Sequence, residues 1–303
     1  MVLSTGVRIV DSNTGAFFTV QIIRDISSLR QAIFTLRRGG GRIALVPTMG
    51  ALHDGHLSLV REAKRHADHV VTSIFVNPMQ FGPKEDLAAY PRQEAQDAAL
   101  LENEGVAVLW APHVEEIYPD GFSTTVSVSG ISEGLCGDVR PGHFDGVATV
   151  VAKLFNQVQP DVALFGEKDY QQLGVIRRFV MDLDMPIEIV GVPTMRAEDG
   201  LALSSRNAYL SDDERSRAAE LPRAMREAIT AMEAGRAVGD ALDALRARIT
   251  AAGFGSIDYA ELRDAVSLEL MAILDRPARL LVAARMGTTR LIDNMPVTSS
   301  LDG

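Results

Sequence analysis

An α/β fold, with helices covering a parallel sheet and a smaller α+β region behind it, is predicted by three observations. Short apolar segments alternate with amphipathic helical patterns over the first two-thirds of the 303-residue chain, an order that builds a parallel sheet covered on both faces. Two of those apolar segments run into glycine-containing polar loops at their carboxyl ends, where such sheets bind ligands. Beyond residue 194 the pattern changes to alanine- and charge-rich helical stretches followed by longer strands.

Each element has its own warrant. Residues 26–38 carry the first helical pattern, and 42–46 form an aliphatic, buried strand with its core at 43–46. In the next segment Leu57, Leu59, Val60 and Ala63 recur at helical spacing, with Arg61, Glu62, Lys64 and Arg65 on the other faces, so 57–66 reads as a helix. Strands at 70–75, 107–109, 162–165 and 187–190 alternate with helices at 92–104, 147–157 and 170–183. Pro193 ends the last of these strands, and a loop containing Gly200 leads on. Ser211, followed by Asp212, Asp213 and Glu214, is a capped start with acids in the first turn of a helical stretch over 211–234. A helix over 240–251 and strands over 257–263, 279–286 and 290–295 complete the chain. The expected organisation is a Rossmann-like parallel-sheet domain over 1–193 and a smaller C-terminal α+β domain over 194–303 that closes a shared cleft. Residues before Thr19 read as a leader to the fold.

Bulk composition narrows the function. Hydrophobic residues make up 47% of the chain, enough for two cores. A formal net charge of −10 argues against a nucleic-acid binder held by phosphate contacts, while leaving room for a local basic site. Cys136 is the only cysteine, so no intrachain disulfide forms, which suits a reducing cytoplasm; it reads as a small structural or surface residue and not as a nucleophile. No apolar run is long enough to span a bilayer, and the N-terminal residues lack the pattern of a signal peptide. A cytoplasmic enzyme with no membrane or nucleic-acid partner is the expectation.

The most informative segment is His53-Asp54-Gly55-His56 within VPTMGALHDGHLSLV. It lies where a strand hands over to a helix, with Gly50 and Gly55 leaving the backbone open to close approach. A helix N-terminus presents unpaired amides and a positive dipole end to a phosphate. Two imidazoles beside it can donate to phosphate oxygens that gain charge during reaction. The same pair at i, i+3 also suits a metal, though no third ligand lies nearby at zinc spacing, or an ordinary first helical turn. Three further segments carry chemistry. Asn77 and Gln80, in SIFVNPMQF, offer neutral amides at a strand end around the fixed turn of Pro78, although Asn-Pro is also a common turn. FGEKDYQQ offers Gly166 for close approach, Lys168 as a mobile positive charge, Asp169 as an acceptor for ribose hydroxyls and Gln172 one step along the helix; it also reads as a polar first turn. LSSRN, with Ser204, Ser205 and Arg206, makes a phosphate clamp or a simple turn with a solvent-facing arginine.

The His53–His56 block resembles the HIGH signature of the nucleotidyltransferase superfamily, in which two histidines contact the phosphates of ATP. Taken with SIFVNPMQF, Tyr90-Pro91-Arg92, RPGHFDGV at 140–147, FGEKDYQQL and LSSRN, the chain resembles the pantoate–β-alanine ligase family from about residue 26 to 294. That resemblance implies ATP-dependent joining of D-pantoate to β-alanine through an enzyme-bound pantoyl adenylate, releasing pyrophosphate and AMP, with Mg²⁺ accompanying ATP. It places Met49, Gly50, Ala51, Leu52, His53, Asp54, Gly55 and His56 around ATP, with His56 as proton donor. Gly166, Glu167, Lys168 and Asp169 match the adenosine segment, with Met195 beside the adenine. Leu203, Ser204, Ser205 and Arg206 match the phosphate loop. Gln80 contacts pantoate close to β-alanine, and Gln172 holds pantoate from the opposite side; Pro47, Met49, Asn77 and Tyr90 join them on the substrate side. Residues 82–96 resemble a mobile gate, Asp97 behind it is the candidate magnesium ligand, and a homodimer is implied. Two departures stand out. Leu203 replaces the family's usual methionine, a swap of similar volume. Met195 stands where valine is common, at a position that uses its backbone.

Overall fold

The computed structural model describes residues 20–83 and 85–299, so the leader expected before Thr19 lies outside the described residues. The chain divides into two compact units. The first comprises the described residues up to Val128 together with Arg140–Gly166 and Val175–Val192; the second comprises Ser129–Val139, Glu167–Gly174 and the chain from Pro193 onward. The units thus differ from a single cut at 193/194 in two short stretches.

The first unit is built on a six-stranded sheet. In chain order its elements are β1 (Gln21–Ile23), α1 (Ile26–Leu36), β2 (Ile43–Thr48), α2 (Asp54–His66), β3 (His69–Ile74), α3 (Glu94–Asn103), β4 (Val108–Trp110) and α4 (Val114–Ile117). After a loop come α5 (Cys136–Val139, in the second unit), α6 (His143–Val158), β5 (Val162–Gly166), α7 (Tyr170–Asp182) and β6 (Glu188–Val192). The sheet order is β1-β4-β3-β2-β5-β6 with every pair parallel, as the strand–helix alternation predicts. Aliphatic side chains from β2, α2 and β5, including Val46, Leu59, Val60 and Leu164, form its core. β1 is absent from the sequence-based expectation because three residues carry no period; pairing with β4 makes it a strand.

The order of strand addition reverses at β2: successive strands run outward from β2 through β3 to β4, then β5 returns to β2's other edge. β2 and β5 pair only at Ala44–Val162 and Leu45–Ala163, so they part company towards their carboxyl ends. Pro47, which has no amide hydrogen to give, lies beyond that pairing and faces Ser73 on β3. Such a switch point is where open parallel sheets leave a crevice for ligands.

The second unit holds α8 (Asp212–Ala218), α9 (Glu220–Glu233), α10 (Val238–Ala251) and an antiparallel sheet of β7 (Phe254–Asp264), β8 (Ala278–Met286) and β9 (Thr289–Val297). Leu221, Met225, Leu245, Leu262, Leu280 and Val282 sit in its core. The expected Ser211 start is present as a reciprocal capping box with Glu214. The single expected helix over 211–234 is two, joined at Ala219. Pro222 explains the break, since it has no amide to bond the carbonyl four residues back and is tolerated only in a first turn. Cys136 is buried with its Sγ 3.2 Å from the Tyr259 hydroxyl, a structural position as expected. Among the described residues no helix is long and apolar enough to cross a membrane.

Candidate active site

In the first unit the loop after β2 is shaped by backbone. Gly50 has φ +83° and Ala51 φ +51°, the latter in a region that costs a residue with a side chain. What holds it there is Asp97 on α3: its Oδ2 accepts from the Ala51 amide at 2.9 Å and its Oδ1 from the Leu52 amide at 2.8 Å. Asp97 is 1% exposed. With one buried amide on each oxygen, Asp97 anchors this loop from α3. Among the described residues no group of three or more His, Cys, Asp or Glu is arranged to hold a metal.

The loop delivers His53 as the N-cap of α2, whose first residue, Asp54, lies three residues before the expected helix start. The Gly55 amide donates to His53 Nδ1 at 3.1 Å, and the His53 amide donates to His56 Nδ1 at 3.3 Å. The two histidines thus form a capping box with imidazoles in place of hydroxyl and carboxylate. Because a backbone amide donates to each Nδ1, the ring proton of each neutral imidazole lies on Nε2. The rings stand 4.1 Å apart, tilted by 42°. Helix start, dipole and two Nε2–H donors together make a site for an anion.

Past β3, Asn77 caps a one-turn helix over Pro78–Gln80. Asn77 is 1% exposed. Its Nδ2 donates to the Gly146 carbonyl at 3.0 Å and to Gln80 Oε1 at 2.9 Å, so it positions Gln80. The Gln80 carbonyl is gripped as well: Arg140 donates to it at 3.1 Å and His143 Nδ1 at 2.9 Å. Arg140 also donates to His143 Nε2 at 2.9 Å, which requires that nitrogen to accept and leaves the proton on Nδ1. The same guanidinium pairs with Glu85 at 2.8 and 2.5 Å, tying the gate-like segment to the start of α6. Tyr90, the expected substrate-side residue of this segment, is buried with its ring edge-on to Phe81. Pro47 and Met49 are half-buried at the end of β2.

The second unit carries the remaining expected residues. Lys168 and Asp169 share a turn, with Nζ 3.7 Å from Oδ1. The Asn294 amide donates to the carbonyls of Glu167 and Lys168 at 2.9 and 2.8 Å. Arg279 donates to Asn294 Oδ1 and to the Glu167 carboxylate, and lies 3.9 Å over the Tyr170 ring. The Glu167 side chain is thus occupied within the scaffold. Ser204 caps the short helix Ser205–Tyr209, its Oγ accepting from the Arg206 amide. The Leu203 amide donates to the Met195 carbonyl at 2.9 Å, pinning the phosphate-loop candidate to the segment that follows β6. Gln172 is half-buried, whereas Gln171 is consumed by the loop at 131–136.

Sequence reasoning missed Arg140, His143, Tyr118, Arg279 and Asn294. Arg140 and His143 lie in a motif it had noticed without assigning roles. Tyr118, Arg279 and Asn294 carry no local signal.

A parallel sheet with a histidine-capped helix at its switch point defines the class, an enzyme acting on nucleotide phosphates. The particular family is equally plain: the pantoate-beta-alanine ligase family matches residues 21–296, and the chain belongs to it. It is 64% identical over 283 residues to pantothenate synthetase of Novosphingobium aromaticivorans, covering 92% of this chain and 99% of that protein. It is 62% identical to that of Sphingopyxis alaskensis, covering 92% and 100%. The crystal structure of pantothenate synthetase from Thermus thermophilus is 49% identical, with a TM-score of 0.86 over 91% of this chain and 99% of its own. Pantoate-beta-alanine ligase of Francisella tularensis, complexed with beta-gamma ATP and beta-alanine, is 35% identical with a TM-score of 0.78, covering 91% and 97%.

Proposed function

We propose that the protein joins D-pantoate to β-alanine at the cost of ATP, in two steps. A pantoate carboxylate oxygen attacks the α-phosphorus of ATP, the bond to the β,γ-phosphates breaks, and pyrophosphate leaves a pantoyl adenylate. The β-alanine amine then attacks the acyl carbon, AMP departs with the anhydride oxygen, and the amine gives up a proton as the amide forms. The observation that carries this reading is the histidine capping box, which fixes Nε2–H donors at the N-terminus of α2 beside the sheet's switch point.

His53 and His56 donate to the phosphates as charge moves onto them, and Lys168, Ser204, Ser205 and Arg206 supply further donors. Gln80 and Gln172 hold pantoate through neutral amides, which leave its carboxylate nucleophilic where an ion pair would blunt it. Positioning and charge stabilisation then carry the rate. Asp97 would hold Mg²⁺ through the lone pairs its two amide bonds leave over; no step is assigned to a metal, and Mg²⁺ enters this reading as the companion of ATP. A homodimer in the cytoplasm completes it.

The test mixes purified protein with ATP, Mg²⁺ and D-pantoate, then adds β-alanine. Pyrophosphate should form with pantoate alone, and free AMP only after β-alanine. AMP or pyrophosphate release indifferent to pantoate and β-alanine would overturn the reading.

A further inference from the structure

Gln80 is a primary amide, and its chemistry depends on which end meets the substrate. An Nε2–H₂ end reads an oxygen lone pair, and an Oε1 end reads a hydroxyl or amine hydrogen. Backbone groups of the first unit decide between them. The Met79 amide donates to one end of the Asn77 side chain at 3.3 Å, so that end must be oxygen. The Gly146 carbonyl accepts from the other end at 3.0 Å, so that end must be nitrogen. With Asn77 fixed twice over, the Tyr118 hydroxyl 2.8 Å from Oδ1 must donate. Burial pushes the Tyr118 phenol well above its ordinary pKa, so that donor persists across working pH. Asn77 Nδ2 lies 2.9 Å from the end of Gln80 it faces, and that end must accept, so it is Oε1.

We infer that Tyr118 is a positioning residue which, through Asn77, fixes Gln80 with its Nε2–H₂ end outward, so that Gln80 reads an oxygen acceptor of the substrate. This rests on the assignment of Gln80 to pantoate above. An outward Nε2–H₂ matches the hydroxyl or carboxylate oxygens of pantoate and is the wrong polarity for the hydrogens of an ammonium group. Tyr118 touches no substrate in this scheme. Its ring is braced by Phe75 and Phe122, at 6.1 and 5.0 Å between centroids. Removal of the hydroxyl alone therefore leaves the packing and the two backbone bonds of Asn77 in place, takes away the third bond, and lets the Asn77–Gln80 pair loosen without turning over.

The experiment measures pyrophosphate release by Tyr118→Phe, Gln80→Ala and the double variant. The pantoate KM, ATP KM and Tm of each are compared with the unaltered protein. Tyr118→Phe should raise the pantoate KM roughly three- to tenfold, the worth of one hydrogen bond, while ATP KM and Tm stay put. In the Gln80→Ala background the same change should do nothing further. An unchanged pantoate KM in Tyr118→Phe, an equal effect in both backgrounds, or a rise in ATP KM with a fall in Tm would each overturn the relay. Gln80→Glu supplies a second line. It keeps the acceptor for Asn77 but has no N–H to offer, and should raise the pantoate KM on the order of 100-fold, the loss of a donor to a charged group. A near-normal KM in Gln80→Glu would show that the oxygen end faces substrate. If Gln80→Ala itself leaves pantoate KM and turnover unchanged, the assignment of Gln80 fails, and the relay with it.

Discussion

Asp97 accepts the amide of Ala51 at 2.9 Å, across 46 residues of chain, and so holds a non-glycine residue at φ +51° at the entrance to the histidine-capped helix. The bond explains why a carboxyl group is buried there: two amides that no strand or helix satisfies need an acceptor, and one side chain serves both. Asp97→Asn leaves one of those amides facing an NH₂ group. The expected result is a stability loss of about 1–3 kcal/mol and a higher ATP KM, read by thermal unfolding and pyrophosphate release. Magnesium titrations separate this role from metal binding. Loss of the anchor alone leaves the Mg²⁺ dependence of the variant where it was, whereas activity restored by raised Mg²⁺ shows that Asp97 also holds the metal.

Gly146 lies where α6 meets the Gln80 turn, and a Cβ built on it would come 2.2 Å from the Met79 carbonyl oxygen and 2.9 Å from the Gln80 amide nitrogen. Both are backbone atoms of the turn that Asn77 caps, so the turn itself would have to move. Gly146→Ala should lower stability by about 1–3 kcal/mol and raise the pantoate KM more than the ATP KM. Equal changes in both constants would mean that the turn tolerates the shift and that Gln80 is not held by this contact.

The sheet and most helices were legible because burial writes a period into the sequence. IALV in β2 and VALF in β5 read as strands that are indeed fully buried. The start of α2 was not legible, because histidine is not among the usual capping residues and its Nδ1 acts as the cap only in this loop. Site residue types were visible, but their division of labour was not. Gln171 and Gln172 are chemically identical neighbours, and only the packing shows that Gln171 holds the backbone at 131–136. Nor did the sequence show that Asn77 and Asp97, each exposed by only 1%, bond backbone groups far along the chain.

Asp264 gives the second unit a defined acid response. Its Oδ1 accepts from the Val266 and Ser267 amides at 2.9 and 2.7 Å, and its Oδ2 from Arg276 at 2.7 Å. The Ser267 amide and the other donors together bring its carboxyl down to about 2. A pKa lowered by folding means that the unfolded chain binds more protons between the folded and ordinary carboxylate values. The stabilisation is therefore complete above about pH 4 and disappears as pH falls towards 2. Thermal unfolding across that window should show Asp264→Asn less stable than the parent at pH 6, with the difference shrinking on acidification. A gap that stays constant down to pH 2 would rule out the titration.

His56 occupies a double position: it satisfies the His53 amide through Nδ1 and presents its Nε2 proton at the head of α2. The two roles predict different consequences. Losing the backbone bond is a capping defect worth about 1 kcal/mol, whereas losing a donor to a phosphate that gains charge costs about 10²–10³ in rate. His56→Ala removes both, and His56→Asn, whose side-chain oxygen can still accept the His53 amide, removes chiefly the second. Single-turnover pyrophosphate release should therefore fall by that factor in both variants, while Tm drops in His56→Ala and recovers in His56→Asn. A rate that recovers along with Tm would mean that His56 contributes by capping the helix and that its Nε2 proton is not used in adenylate formation.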